Sequence, residues 1–372
     1  RGASLLSAMA IPEHLLSPIE FLAAAEEGAV LLDVRSPGEF AQGHLPGAHS
    51  LPMFSDEERA AVGTAYKEEG NQAAVELGLE FVGPKMRSLV TQARVLLESH
   101  ADRKPVLLYC WRGGMRSGSV DWLLRTAGIP VSRCEGGYKA CRAELREALC
   151  QPRPYVVLGG MTGTAKTAVL RRLQVLGRRT VDLEAMADHF GSAFGNLEGH
   201  AQPSTEQFSN DLAWTLRSMD RRDKDLGETQ EIWLENESRS IGKVSIPEGF
   251  HKCLRSAPVL ELERTEQDRI DHLLSMYGDA SKASLHQAFE RIRTKLGGQH
   301  AQKAIAHVDE GDLSSAAKLA LVYYDKTYRH GLDQREHMRT VDACGLNPEE
   351  TAQRCVDAHN QWNPWNLPTT SV

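Results

Sequence analysis

No stretch of this chain approaches the ~18 consecutive apolar residues that a membrane-spanning helix needs, so no membrane partner is expected. No secretory signal is evident. The apolar segment Leu5–Ile11 is too short for one and has no cationic start beyond Arg1. Seven cysteines occur, with no CxxC pair and no zinc-ligand spacing, which argues against a zinc site and a disulfide scaffold. A cytoplasmic, reduced protein is expected, with Cys134, Cys141, Cys150, Cys253, Cys344 and Cys355 as core filler. Internal repeats and low-complexity tracts are absent, which excludes a solenoid and a disordered chain. Positive charge is not in excess: the net charge is -7, so bulk field does not mark a nucleic-acid binder. Local basic clusters exist at Arg171-Arg172, Arg178-Arg179, Arg221-Arg222 with Lys224, and Arg291, Arg293 and Lys295. Each also reads as a solvated helix face.

What is present is ordinary globular composition, 41% hydrophobic and 25% charged, over 372 residues. That length predicts two or three domains. Residues 11–147 alternate strand-like and helix-like runs. Val30–Val34 and Val106–Tyr109 read as strands, and Met115–Ala127 as a helix with Val120, Leu123 and Leu124 on one side. Residues 148–154 form the linker, because Pro152 and Pro154 forbid a continuous helix. Residues 155–360 form a second α/β unit with strands at Tyr155–Leu158, Thr180–Leu183, Ile232–Leu234 and Val259–Glu263. The pattern is then helical from Glu266 to about Asp325, with a last strand near Arg339–Val341 and a short helix from Pro348. Residues 361–372 read as a loose tail. The fold class is α/β, with mostly parallel sheets covered by helices.

Two anion-handling loops stand out. Cys110-Trp111-Arg112-Gly113-Gly114-Met115-Arg116-Ser117 joins a strand to a helix. A thiolate is the reactive form of cysteine, and a helix N-terminus with Arg112 and Arg116 beside it favours that form. Gly113 and Gly114 allow the backbone N–H groups to curl inward as a nest. The Cys-x5-Arg spacing suits a tetrahedral oxyanion clamped by Arg116. The second loop, Gly160-Met161-Thr162-Gly163-Thr164-Ala165-Lys166-Thr167, is a Walker A pattern with Ala165 where glycine is usual. Its N–H groups are expected to cradle phosphates, with Lys166 reaching them and Thr167 holding Mg²⁺. If the position of Ala165 needs positive φ, the side chain costs ~1 kcal/mol or more. Glu235 and Glu237 follow a strand, where metal- or water-ordering carboxylates are often placed.

The segment Leu31-Leu32-Asp33-Val34-Arg35-Ser36-Pro37-Gly38-Glu39-Phe40, followed by Gly43-His44-Leu45-Pro46-Gly47-Ala48, resembles the opening of a rhodanese domain. That resemblance puts Cys110 at the sulfur- or selenium-bearing position and makes Asp33 and Arg35 structural. The Cys110–Arg116 loop is one residue longer than in sulfur-carrying rhodaneses and matches phosphatase-like relatives. Over residues 17–358 the chain resembles the tRNA 2-selenouridine synthase family, a rhodanese domain fused to a P-loop domain. Phe54-Ser55-Asp56-Glu57-Glu58-Arg59, Val62-Gly63-Thr64-x-Tyr66-Lys67 and Gly136-Gly137-Tyr138-Lys139 carry it in the first half. In the second half it rests on Asp182-Leu183-Glu184, His189, Gly191-Ser192-Ala193-Phe194-Gly195, Gln202-Pro203-Ser204, Gln207-Phe208 and Glu235-x-Glu237-Ser238-Arg239-x-Ile241-Gly242. Leu296-Gly297-Gly298-Gln299 and Tyr323-Tyr324-Asp325 complete it; Ala165, Phe190 and Cys141 depart from it.

The resemblance implies a transferase acting on 2-thiouridine at the wobble position in a tRNA anticodon loop. The sulfur is first geranylated from geranyl diphosphate, and selenium from selenophosphate then displaces the S-geranyl group. No tightly bound organic cofactor is implied; Mg²⁺ and a selenophosphate supplier are expected companions. Trp111, His189, Ser192, Glu235 and Glu237 become candidates for tRNA or substrate contact, and Arg239 for diphosphate. Three other readings fit parts of the pattern. They are a rhodanese-fold phosphatase, a sulfurtransferase joined to a kinase-like domain, and a binding protein without turnover.

Overall fold

A computed structural model describes residues 15–98, 106–189, 201–332, 335 and 337–362. The chain forms two compact units. One comprises Arg1–Leu149 with Ser209–Met219, the other Cys150–Phe208 with Asp220–Val372.

The first unit is built on a parallel five-stranded sheet: β1 (Leu15–Leu16), β2 (Val30–Asp33), β3 (His49–Ser50), β4 (Val106–Tyr109) and β5 (Val131–Cys134), in the order β1-β5-β4-β2-β3. β2 and β4 are buried at every residue. A parallel sheet covered on both faces needs such unbroken apolar runs rather than alternation. Val30, Leu32, Leu108, Val120 and Leu124 pack into one core, and Cys110 sits at its edge just past central β4. The loops after parallel strands are where ligand sites of open α/β sheets form.

The second unit repeats this plan with β6 (Tyr155–Gly160), β7 (Arg179–Val181), β8 (Ile232–Glu235), a small antiparallel hairpin of β9 (Ser240–Ile241) and β10 (Val244–Ser245), β11 (Val259–Glu263) and β12 (Met338–Asp342). Its main sheet is parallel, in the order β12-β11-β6-β8-β7, with β6 central. Four helices, Glu266–Tyr277, Lys282–Leu296, Gly298–Glu310 and Leu313–Leu332, form the expected helical part. They share a core of Leu285, Phe289, Ile292, Ala304 and Val308.

Several expectations change in detail. β7 stops at Val181 rather than Leu183, because the Asp182 carboxylate accepts the Ala185 N–H (2.8 Å) and starts the Leu183–Met186 helix. The C-terminal helix is not short: Pro348–Trp362 packs Ala352, Cys355 and Val356 against the core of the second sheet and runs past the expected start of the tail. Cys134, Cys141 and Cys355 are buried, but Cys150 and Cys344 are exposed, since they lie after the Gly137–Ala148 helix and in the turn after β12. The expected cut at 148–154 also misses Ser209–Met219, the middle of the Thr205–Leu226 helix. Its buried Asn210 amide donates to Tyr138 Oη (2.8 Å) and His44 O (2.9 Å), and Arg217 pairs with Glu26 (2.6 Å). Among the described residues, no helix is long and apolar enough to cross a membrane.

Candidate functional site

The thiol loop is closed by backbone contacts that only glycine permits. Tyr138 N–H donates to Cys110 O (2.9 Å) and Lys139 N–H to Trp111 O (3.0 Å). Gly113 and Gly137 both have positive φ (+67° and +61°). A Cβ on Gly137 would lie 2.4 Å from both Cys110 O and Gly113 N, so the loop cannot close around a larger residue. The Cys110 thiol is buried, with Sγ 3.2 Å from Ser117 Oγ, whose hydroxyl donates to Gly114 O (3.1 Å). Gly114 caps the Met115–Thr126 helix. Arg112 is exposed.

Arg116 is held away from the purely anion-clamping arrangement that its spacing suggests. It makes a two-pronged pair with Glu39 (2.6 and 3.3 Å), which sits in the first turn of the Pro37–Gln42 helix. Burial by itself raises the Glu39 carboxyl, but Arg116, the Ser36 N–H and Arg59 outweigh it and hold the carboxyl below its ordinary range. Asp33 and Arg35 form a fully buried pair beneath the loop. Arg35 also donates to Gly43 O (2.6 Å) and stacks over Tyr138 at 3.9 Å. Trp111 is half-buried and tilts onto the same tyrosine at 5.7 Å.

The phosphate loop follows β6. Gly160, Gly163 and Ala165 take φ of +145°, +89° and +64°. Ala165 therefore occupies the left-handed conformation that glycine would supply. Lys166 Nζ donates to Gly160 O (2.7 Å), and Thr164 Oγ1 to Met161 O (2.8 Å). Two helices of the helical part brace the loop. Arg269 donates to Thr162 O (2.8 Å) while its guanidinium is pinned by Asp325 (3.0 Å). Tyr328 accepts the Gly160 N–H (2.5 Å) and donates to Glu261 (2.8 Å).

Beside this loop three carboxylates converge. Glu184, Glu235 and Glu237 place oxygens within 4.8 Å of one another. Thr167 gives its single O–H to Glu184 (3.0 Å), which leaves the fully buried Glu235 carboxylate with no hydrogen-bond partner among the described residues. Burial, then the neighbouring carboxylates, raise Glu235 well above the usual range, and Lys166 only partly offsets this. Glu237 is pushed up to about 8, first by burial and then by Glu184. Glu184 is raised by burial against the pull of Lys166. Hard oxygen donors around an unsatisfied carboxylate fit a divalent cation such as Mg²⁺.

A family model described as a tRNA 2-selenouridine synthase AAA domain matches residues 153–347, and one for a rhodanese-like domain matches residues 17–144. The tRNA 2-selenouridine synthase of Bordetella bronchiseptica is 37% identical over 81% of this chain and 88% of its own. That of Bdellovibrio bacteriovorus is 35% identical over 83% and 90%. That of Chromohalobacter salexigens is 36% identical over 82% and 88%. The chain belongs to the tRNA 2-selenouridine synthase family.

In this family member, the motif residues outside the two loops have visible duties. Gln202 bridges Ala187 O (2.9 Å) and Ile241 O (3.0 Å) and accepts the Lys243 N–H (2.7 Å), tying the β9–β10 turn down. Ser204 caps the Thr205–Leu226 helix. His189 lies against this turn: a Cβ on Gly242 would come 2.7 Å from its ring. Burial, and then Arg291, lower its pKa. Arg239 is exposed and pairs with Glu248 at 3.7 Å rather than with the P-loop. Ser192 and the segment 191–195 lie outside the described residues. Sequence reasoning missed Glu184, Arg269 and Tyr328 as members of the second site. Glu184 carried a usable signal, an acid just past a strand end. Arg269 and Tyr328 sit in unremarkable helical sequence 107 and 168 residues from their loop partners.

Proposed function

We infer that this chain is a tRNA-modifying transferase that converts wobble 2-thiouridine to 2-selenouridine through an S-geranyl intermediate. The observation that carries the reading is the pair of separate anion cradles, one holding a buried thiol and one a lysine with a carboxylate cluster, in a member of this family.

In the first step the uridine sulfur attacks C1 of geranyl diphosphate. The C–S bond forms, the C–O bond breaks and diphosphate leaves. Lys166 and the N–H groups opening the Lys166–Val175 helix would meet that departing charge. Thr167, Glu184, Glu235 and Glu237 would hold Mg²⁺, which when bound supplies further neutralisation of the leaving group. Arg269 and Tyr328 position the loop rather than touch substrate.

In the second step selenium from selenophosphate adds at C2 of the base, geranylthiolate leaves, and water takes the phosphoryl group. The seven residues from Cys110 to Arg116 would take that phosphate, with the exposed Arg112 able to approach it. Arg116 would be shared between the anion and Glu39. The tRNA presents its anticodon loop as a single strand, where a splayed base can stack on an aromatic such as Trp111.

The test is nucleoside mass spectrometry on 2-thiouridine-bearing tRNA incubated with geranyl diphosphate and selenophosphate. Wild type should yield selenouridine, Cys110→Ala should stop at S-geranyl-2-thiouridine, and Lys166→Ala should leave thiouridine untouched. Unchanged tRNA with all three proteins would overturn the reading, and thiosulfate or aryl phosphate turnover without tRNA would replace it.

A further inference from the structure

The first unit contains a cavity of about 1180 Å³ beside the thiol loop. Trp111, Arg112, Met115 and Arg116 of the loop and its helix form one wall. The opposite wall comes from the helices Asp56–Glu68 and Asn71–Val82. Those helices include Arg59, Val62, Tyr66 and Lys67, residues on which the family resemblance rests and which neither anion loop uses.

Three observations define what the cavity takes. Its lining is largely apolar, with Val62, Val82, Met86, Leu89 and Leu123 among the side chains. Tyr66, Leu79, Met115 and Trp122 stay more than half exposed, although large apolar side chains normally seek cover. The lining contains four cations, Arg59, Lys67, Arg112 and Arg116, and no carboxylate. Lys67 and Arg112 have no ion-pair partner among the described residues, whereas Arg116 and, at 3.9 Å, Arg59 face Glu39. A largely apolar lining with cations and no acid fits an amphiphile with a hydrocarbon chain and an anionic head. Its volume exceeds the 300–1,000 Å³ usual for drug-sized ligands, so it has room for a chain and a base together.

We propose that this cavity holds the alkyl chain of an S-alkylated 2-thiouridine nucleotide, with the base at the Cys110 loop and its phosphates on Lys67 and Arg112. The inference rests on the reading of function above. It gives the rhodanese unit its own means of telling alkylated from unalkylated thiouridine. The alkyl group is then a recognition handle as well as a leaving group. A free prenyl diphosphate shares the same chemistry, but the loop carrying Cys110 forms one wall, which favours the nucleotide that must react there.

The experiment is calorimetric binding of S-geranyl-, S-dimethylallyl- and S-methyl-2-thiouridine 5′-phosphate to the full chain, with geranyl diphosphate as a separate arm. Each buried methylene contributes about fourfold in affinity, so shortening the chain from ten carbons to five should weaken binding roughly 10²- to 10³-fold. Leu79→Gln and Met115→Gln alter exposed positions and should fold. They should weaken the S-geranyl nucleotide about tenfold, leave the S-methyl one unchanged, and accumulate S-geranyl product in the tRNA assay. Equal affinities along the series, or wild-type binding by both variants, would overturn the proposal even if selenouridine is still made. Binding of geranyl diphosphate that both variants weaken, with no binding of the S-geranyl nucleotide, would overturn it in favour of that ligand. Chain-length-dependent nucleotide binding without any selenouridine from wild type would keep the cavity and sink the functional reading instead.

Discussion

Replacing Gly137 by alanine should damage the thiol loop selectively, and its cost can be worked from the backbone. The residue has φ +61°, where a Cβ costs about 1–2 kcal/mol. The new carbon would also stand 2.4 Å from Cys110 O and Gly113 N, both backbone atoms that cannot swing aside. Overpacking of that kind adds about 1–3 kcal/mol. Restricting the unfolded chain returns about 0.4–1 kcal/mol. The net loss is about 3 kcal/mol. Gly128 is the control: it shares a positive φ (+82°) in the same unit, but its Cβ would meet nothing within 4 Å. Gly128→Ala should therefore cost only about 1 kcal/mol from the same strain and chain-entropy terms. The difference of about 2 kcal/mol corresponds to roughly 4–8 °C in the melting of a unit of this size. Scanning calorimetry of the two full-length variants reads it directly. Gly137→Ala should also stall tRNA at the S-geranyl stage, because Cys110 O and its loop must move. Equal melting shifts for the two variants would refute the steric argument.

Three further outcomes are expected. Because Glu184, Glu235 and Glu237 have raised pKa values when folded, the stability they contribute is complete below about pH 4.3, the ordinary carboxyl value, and is lost as pH rises through their folded values, which for Glu237 is about 8. Melting temperature should fall over that window and be restored by millimolar Mg²⁺; Glu235→Gln should shrink the fall, since Glu184 and Glu237 still titrate, and abolish the Mg²⁺ shift, and a variant that keeps that shift would exclude the cluster as its site. Arg269→Met leaves Asp325 and the Thr162 carbonyl without their shared partner, and urea unfolding should show a loss of about 3 kcal/mol with weakened diphosphate binding. Glu39→Gln should free Arg116 and tighten inorganic phosphate binding at the thiol loop several-fold by calorimetry; an unchanged affinity would make Arg116 a structural residue only.

Both cradles were legible because their chemistry is local. A strand such as Val106–Tyr109, two glycines and a helix start lie within a few residues of one another, and backbone geometry does the rest. The same holds for β6 and Lys166. What escaped is set by tertiary approach. The Arg116–Glu39 pair joins residues 77 positions apart, so a spacing rule assigned Arg116 to the anion alone. Tyr328 and Arg269 reach the P-loop from helices whose sequence shows only ordinary apolar periodicity. The extent of β7 turned on one side chain, Asp182, which is equally at home ending a strand or capping a helix.

The Thr205–Leu226 helix has a practical consequence for anyone dividing this polypeptide. Its central eleven residues, Ser209–Met219, group with the N-terminal unit, although some sixty positions of the other unit intervene in the chain. A fragment ending at Leu149 would lose Asn210 and Arg217, leaving Glu26 without its arginine and Tyr138, which contacts the thiol loop, without its amide partner. The rhodanese part is thus not a cassette that can be excised at the proline linker. Its excised form would be an impaired one, and weak activity in such a fragment would report the cut rather than the enzyme.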